Sequence, residues 1–543
     1  MAKFLAIMVL KNVVFPIFGC FSYAYFKIIQ IIFSFLNGFG SQISVSKASD
    51  EDLNALLYIS ATQAAEMIRT KEIRSLQLVE IYIRRIESVQ SLLNAMVQDH
   101  FDDALSRAQA VDDYLDTLDP ESDEFKNLGT TKPLLGVPFT CKDSIRVKNL
   151  KTICGLPIFY KEDKVNEKNA DVIDILQKAG AIHLAITNVP EAGLWWESSN
   201  KIYGRTNNPY NIYCSAGGSS GGEASLLSAA GSVIGIGSDF GGSIRIPAML
   251  NGVFGLKPTA KLIPFAGHVP DKLPSYHEEM VTLGPICRYA KDLETMLKVM
   301  VGHDNCKMLS LDKPVNMRNL RVFYTNGIDS LIMSPLDVDV KHALAKVAKY
   351  FEKKYDNPVY KVDFPILHHA VDIFLASMRC PGALSVAKVL NGFNEEEGIN
   401  VLTETAKFMF GKSDHEWAGL QTAIVDSLPR IFEADENFVN SKRDQLKREI
   451  GELLGEDGIL LFPSLPRANY YHNEALFTPL DFVYCGIWNA LDFPVVSCPL
   501  GLNNSGVPLA VQIVAAPKME RNLLAAALDI EEAWGGHFTK GRY

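Results

Sequence analysis

The chain is 543 residues long, 48% hydrophobic and 21% charged, with 53 Lys and Arg against 63 Asp and Glu. That composition supplies a large core and confines disorder to local stretches, while a net charge of −10 lacks the clustered cations that phosphate binding demands, which argues against a nucleic-acid partner. The nine cysteines stand singly, with no C-x-x-C pair and no Cys/His run at ligand spacing, so neither a metal site nor a compact disulfide framework is indicated and most thiols are expected free in the core.

Residues 4–40 are almost wholly apolar, broken only by Lys11 and Lys27. The charge-free runs 12–26 and 28–40 are each shorter than the ~20 residues a spanning helix needs. A tilted span, a hairpin in one leaflet and a secretory leader all satisfy that pattern. A retained anchor is favoured, because bulky and aromatic residues continue past the point where a small-residue cleavage site would fall. A polar linker, 41–54, follows. Residues 55–543 contain no repeat or low-complexity break and read as one large α/β domain.

Within that domain Ser60 reads as a helix start, with helices near 76–89 and 100–118, a strand at 95–97 between them, and an exposed acidic loop over 119–132. An apolar run from Pro133 then ends in Lys142. Helix and strand signals alternate at 171–178, 182–186, 219–230, 232–236 and 242–250. After a helix at 293–301 come a strand at 320–324, a helix at 338–355 and a strand at 359–362. Residues 366–456 are mostly helical, with apolar faces at 399–410 and 417–431 that suit either core packing or a second membrane-contacting surface. Strands return at 458–462, 494–497 and 510–514 before a last helix over 521–534.

Two glycine-cushioned serine sites flank the unit at 219–236. Ser219 and Ser220 both satisfy G-x-S-x-G, but the preceding residues 208–216 read as an irregular loop where a nucleophile elbow needs a buried strand. Glu223 stands where a phosphate-binding loop needs lysine. In Asp239-Phe-Gly-Gly-Ser243 the backbone N–H groups of Phe240, Gly241, Gly242 and Ser243 are placed to converge on one developing oxyanion. A serine needs a base. His268 and His277 follow the serine-rich stretch; Lys142 is the other candidate, because a lysine desolvated at the end of a buried strand loses its proton more easily.

The block GGSSGGEASLLSAAGSVIGIGSDFGGSIRIPAMLNGVFGLKPT, with the segment GVPFTCKD ending at Lys142-Asp143, resembles the amidase signature family. The resemblance runs from about residue 60 to the PLG segment at 499 and is weak over 310–450. It implies a three-layer α/β/α fold with a large mixed central sheet, and a triad of Ser243 as nucleophile, Ser219 as bridging serine and Lys142 as base. It makes Asp239, Arg245 and Ser220 supports of the loop, and it requires neither metal nor cofactor. Ser238 replaces a threonine common in the family and keeps the hydroxyl. With the apolar N-terminus, the resemblance implies hydrolysis of lipophilic carboxamides, fatty-acid primary amides and N-acylethanolamines, at an intracellular membrane such as the endoplasmic reticulum or a lipid droplet. Shorter or xenobiotic amides and esters, or a catalytically silent lipid-binding member, are the alternatives. Homodimerisation and the side of the membrane stay open.

Overall fold

Short apolar strands alternating with amphipathic helices assemble into one mixed sheet of eleven strands. The computed structural model describes residues 15–38, 43–45, 55–428 and 435–536. In chain order the strands are β1 (Met96–Asp99), β2 (Pro138–Lys142), β3 (Ile182–Thr187), β4 (Ile234–Asp239), β5 (Phe254–Lys257), β6 (Thr282–Cys287), β7 (Arg321–Tyr324), β8 (Val359–Lys361), β9 (Gly458–Pro463), β10 (Val495–Leu502) and β11 (Pro508–Ala515). Across the sheet they run β1-β3-β2-β4-β6-β5-β10-β11-β9-β7-β8. β2 is parallel to both β3 and β4, and β7 to both β8 and β9. The remaining pairings are antiparallel.

The central strands are buried at every position because helices cover both faces. Alternation along β9 separates the two cores. Ile459 and Leu461 join the cluster formed with helices Ser75–Leu93, Ala290–Met308, Val338–Tyr355 and Glu520–Trp534. Leu460 and Phe462 point the other way, onto helices Ala370–Met378, Glu436–Leu454 and Val483–Ala490. The expected three layers are thus present.

Ser60 caps its helix by accepting the Gln63 N–H at 3.1 Å. Residues 119–132 depart from the loop expectation. Helix Asp123–Thr131 forms there because Ser122 accepts the Phe125 N–H at 3.1 Å and Asp123 and Glu124 occupy the favourable first turn. β5 and β6 carry no clear strand signal, since glycine and proline interrupt them, yet Pro285 sits inside the sheet between β4 and β5. The glycine before it, Gly284, is required by close packing. A Cβ there would stand 2.1 Å from the Leu256 carbonyl oxygen. Residues 207–215 form a two-stranded ribbon, Asn207–Asn208 with Asn211–Ser215, outside the main sheet. Ser219 therefore does not follow a central strand, as an elbow would require.

The helix Phe15–Gly38 passes through Lys27 without a break, and its stretch Gly19–Asn37 is long and apolar enough to cross a membrane. One stripe docks on the domain: Phe26 and Ile29 are buried, Tyr25 donates to the Phe477 carbonyl at 3.1 Å, and the Phe33 and Phe477 rings lie 5.7 Å apart. Lys27 Nζ is 3.7 Å from Asp337 Oδ1. Phe21, Ile28, Ile32 and Phe35 form an exposed stripe beside it. The expected linker 41–54 and the anchor residues 4–14 lie largely outside the described residues.

Gly284→Ala is expected to destabilise the fold by about 3 kcal/mol, the upper end for overpacking a closed core. A lowered thermal midpoint or loss of soluble protein supports the packing; a wild-type midpoint contradicts it.

Candidate active site

Parallel neighbours end at the same edge of a sheet, so the register of β2 on β4, with Cys141 opposite Ile236, brings Lys142 beside Ser238 and Asp239. Lys142 is 2% exposed. Its Nζ lies 2.6 Å from Ser219 Oγ, 2.9 Å from Ser238 Oγ and 3.5 Å from the Ser238 carbonyl oxygen. Among the described residues no carboxylate comes within ion-pair distance of it. The pairing with Asp143 that an exposed lysine would make is absent: Asp143 turns away to accept the Ile153 N–H at 2.9 Å. Burial drives the Lys142 amine down to about 8, against opposing pulls from Cys154 and Asp239. A neutral amine has two N–H groups and one lone pair. As an ammonium, Lys142 donates to Ser219 and to both Ser238 oxygens; in the neutral form the Ser238 oxygens can take the two N–H groups, which leaves the lone pair for the Ser219 hydroxyl.

The two serine loops are joined through the backbone, where Ser220 N–H donates to the Ser243 carbonyl at 3.1 Å. Ser220 thus links the two loops through its main chain, while its buried hydroxyl has no hydrogen-bond partner among the described residues. Ser243 is half-buried, at the turn before helix Arg245–Leu250. Of the four N–H groups expected to face an oxyanion, those of Phe240, Gly241 and Ser243 have no acceptor among the described residues. Gly242 departs from the expectation: its N–H donates to Asp239 Oδ1 at 2.8 Å. A left-handed turn at φ +114° aims it back at that carboxylate, and Cys485, 2.6 Å from where a Cβ would stand, closes the position to any other residue.

Asp239 and Arg245 form a bidentate ion pair with both side chains fully buried, at 3.0 Å for each bond. Arg245 also donates to the Cys485 carbonyl at 2.9 Å, Gln512 Oε1 at 3.2 Å and Asn489 Oδ1 at 2.6 Å, and Asn489 Nδ2 returns a bond to Asp239 Oδ1 at 2.9 Å. Burial alone would raise the Asp239 carboxyl; Arg245, Lys257 and Asn489 together hold it well below the usual carboxylate range. The loop before the nucleophile is tied in this way to helix Val483–Ala490 and to β11.

The histidine alternatives are placed elsewhere. His268 lies 3.0 Å from Ser144 Oγ, and burial pushes its ring down to about 3. His277 lies 3.0 Å from the Met378 carbonyl and edge-on to Phe240 at 4.9 Å. Sequence reasoning noted the Ser238 hydroxyl without placing it on Lys142, and missed Asn489 and Gln512 as parts of the site. The last two carried a signal, each being a polar residue in an apolar, buried element, where a polar group demands a partner.

A mixed eleven-stranded sheet bearing a buried lysine and two serine loops at one strand edge defines the class. The sequence profile of the amidase family matches residues 77–524. The chain belongs to the amidase signature family and is an amidohydrolase. Within the family it is fatty-acid amide hydrolase-like. It is 40% identical over 500 residues to fatty-acid amide hydrolase 2-A of Danio rerio, covering 90% of this chain and 91% of that one. It is 36% identical over 492 residues to fatty-acid amide hydrolase 2 of Homo sapiens, again covering 90% and 91%. Among solved structures a fatty acid amide hydrolase superposes with a TM-score of 0.69 at 23% identity, covering 90% of this chain and 87% of that one.

Breaking a buried pair by removing one partner costs about 3–5 kcal/mol. Arg245→Met is expected to lower stability by that amount in chemical denaturation, whereas an exposed pair would lose less than about 1 kcal/mol.

Proposed function

We propose that this enzyme hydrolyses lipophilic carboxamides, fatty-acid primary amides and N-acylethanolamines, to a fatty acid and an amine through an acyl-enzyme on Ser243. The 2.6 Å approach of a buried, carboxylate-free Lys142 amine to Ser219 carries the chemical part of that reading. Neutral Lys142 takes the Ser219 proton as Ser219 takes the proton of Ser243, whose Oγ bonds to the carbonyl carbon. The oxyanion faces the N–H groups of Phe240, Gly241 and Ser243. Collapse breaks the C–N bond as the proton returns from Lys142 through Ser219 to the leaving nitrogen. Water then adds to the acyl carbon, giving its proton back along the same path and releasing Ser243.

Aromatic side chains crowd the nucleophile loop and support a lipophilic acyl group. Phe374 and Phe482 meet edge to face at 5.0 Å, and a Cβ at Gly241 would stand 3.1 Å from Phe374 and 3.5 Å from Phe482. The two relatives named for this chemistry at 36–40% identity point the same way. The docked N-terminal helix supports a one-leaflet anchor. Its contacts run from Ser22, which donates to the Leu331 carbonyl, to Phe33, so it lies along the domain and presents its exposed apolar stripe sideways. Exposed Leu402, Met409, Phe410, Val425 and Leu428 provide a second apolar surface on the helical segment. An intracellular membrane suits nine unpaired cysteines.

A fluorophosphonate probe should label the full-length protein at Ser243 and fail to label Ser243→Ala; label mapping to Ser219 would overturn the assignment. Because the amine titrates down at about 8, acylation should rise with pH through that value as Lys142 loses its proton. Lys142→Ala should slow acylation about 10²- to 10⁴-fold, with part of the loss recovered at high pH; near-wild-type, pH-insensitive rates would sink the base role. In competition, oleamide and N-acylethanolamines should outcompete short amides and esters. Deleting residues 1–41 should release the protein from carbonate-washed membranes.

A further inference from the structure

The wall facing Ser219 is one short segment, Glu191–Ser198. At its start, Ala192 and Gly193 turn consecutively through left-handed φ values of +56° and +67°, which brings Gly193 so near that a Cβ there would stand 3.7 Å from Ser219 Oγ. Further on, a Cβ at Gly218 would stand 2.6 Å from the Trp195 carbonyl oxygen and 2.9 Å from the Glu197 nitrogen. At its end Ser198 N–H donates to the Gly217 carbonyl at 3.0 Å, and Ser198 Oγ accepts the Gly221 N–H at 3.1 Å. The Gly218–Ser219 peptide is thus clasped along its length.

A non-glycine residue in the left-handed region persists where its surroundings dictate it. Here two remote loops grip the segment with the same bond pattern. Glu191 Oε1 pairs with His415 Nδ1 at 2.5 Å, and its Oε2 accepts the N–H of the next residue, Glu416, at 3.0 Å. Glu197 Oε1 pairs with His472 Nδ1 at 2.7 Å, and its Oε2 accepts the N–H of the next residue, Asn473, at 2.8 Å. Both carboxylates are buried, and the far ring nitrogen of His472 is held on the Ile212 carbonyl at 2.9 Å. The Glu191 grip seats the start of helix Trp417–Ser427, where a Cβ at Gly419 would come 3.0 Å from Glu191 Oε2. None of these side chains hydrogen-bonds Lys142, Ser219 or Ser243 among the described residues.

We propose that Glu191, His415, Glu197 and His472 are positioning residues: two matching carboxylate–imidazole clamps fix the segment Glu191–Ser198 against Gly218–Ser219 and so hold the Ser219 hydroxyl on the Lys142 amine. The inference rests on the relay role proposed for Ser219. Loosening either clamp lets the wall recede and the hydroxyl turn from the amine, which slows acylation without altering the acyl-chain site.

The test uses the full-length protein and a small alkyl fluorophosphonate, reading the labelling rate at Ser243, the KM for oleamide and the thermal midpoint. His415→Ala and His472→Ala should each label about 10- to 100-fold more slowly, the scale for displacing a reacting group by about 1 Å, with KM unchanged. His415→Gln and His472→Gln keep an N–H for the same carboxylate and should recover most of the rate. Wild-type labelling in both Ala variants, or Gln variants as slow as their Ala counterparts at equal thermal midpoint, overturns the clamps while leaving the triad standing. Wild-type protein that takes no label at Ser243 overturns the triad and the clamps together. Should an Ala variant fail to fold, Glu191→Gln and Glu197→Gln replace it: slowed labelling supports the clamps, and wild-type rates in both overturn them.

Discussion

A lysine amine buried without a carboxylate partner is the constraint on which the site turns. Desolvation makes the ammonium form costly, and the usual remedy, an acid within ion-pair reach, would restore the charge and destroy the base. Two acids close to the amine, Asp143 and Asp239, are both kept from supplying it. Asp143 is pushed up to about 7 by burial, although it accepts the N–H groups of the loop at 153–155. Asp239 stays ionised but is committed to Arg245. Asp239 still pulls the Lys142 amine upwards, but with its carboxylate bonded to Arg245 it makes no ion pair with it, and burial outweighs the pull.

The sheet makes this arrangement repeatable at low conformational cost. β2 and β4 are parallel neighbours, so the ends carrying Lys142 and Ser238-Asp239 are aligned by the same ladder that builds the core. Serine reaches the amine from a third direction, on a loop whose glycines allow backbone to approach backbone. Gly217, at φ +75°, would place a Cβ only 3.0 Å from Pro247 Cα. With Ser220 N–H on the Ser243 carbonyl, the two serine loops are tied together through the backbone. On the proposed reading, pre-organisation of this kind lets a relay of weak acids work, because each proton transfer depends on distances set before substrate arrives.

Much of this was legible where local and global signals agreed. The helices over 171–178 and 338–355 are legible at their true bounds because apolar periodicity and burial coincide there, whereas of the apolar run 133–142 only Pro138–Lys142 is strand. β5 and β6 were not legible. Their glycines and proline weaken local strand preference, and only the closeness of Leu256 to Gly284, a tertiary fact, explains them. The residues proposed as the triad could be named from a motif, but the motif held no information on where the Gly242 N–H points, which is towards Asp239. Nor could it place the carboxylates of Glu191 and Glu197 against histidines 224 and 275 positions away. Spacing says nothing of such contacts.

The polar machinery and the apolar surfaces answer different physical questions. The proposed lysine–serine relay touches only the scissile group and is indifferent to the length of an acyl chain, so on that reading selectivity comes from where the enzyme meets its substrate. A long-chain amide gains about 0.8 kcal/mol per buried methylene on leaving water, and partitioning therefore concentrates it at bilayers. On the proposed reading, the helix Phe15–Gly38 exploits that partition: docked by Phe26, Ile29 and Phe33, it leaves Phe21, Ile28, Ile32 and Phe35 to the lipid and holds the domain at the surface where such substrates accumulate. The aromatic group beside Gly241 then has only to receive a chain already at hand. On that reading desolvation acts at both ends of the process, delivering the substrate to the membrane and easing the proton off Lys142 so that it can act on it.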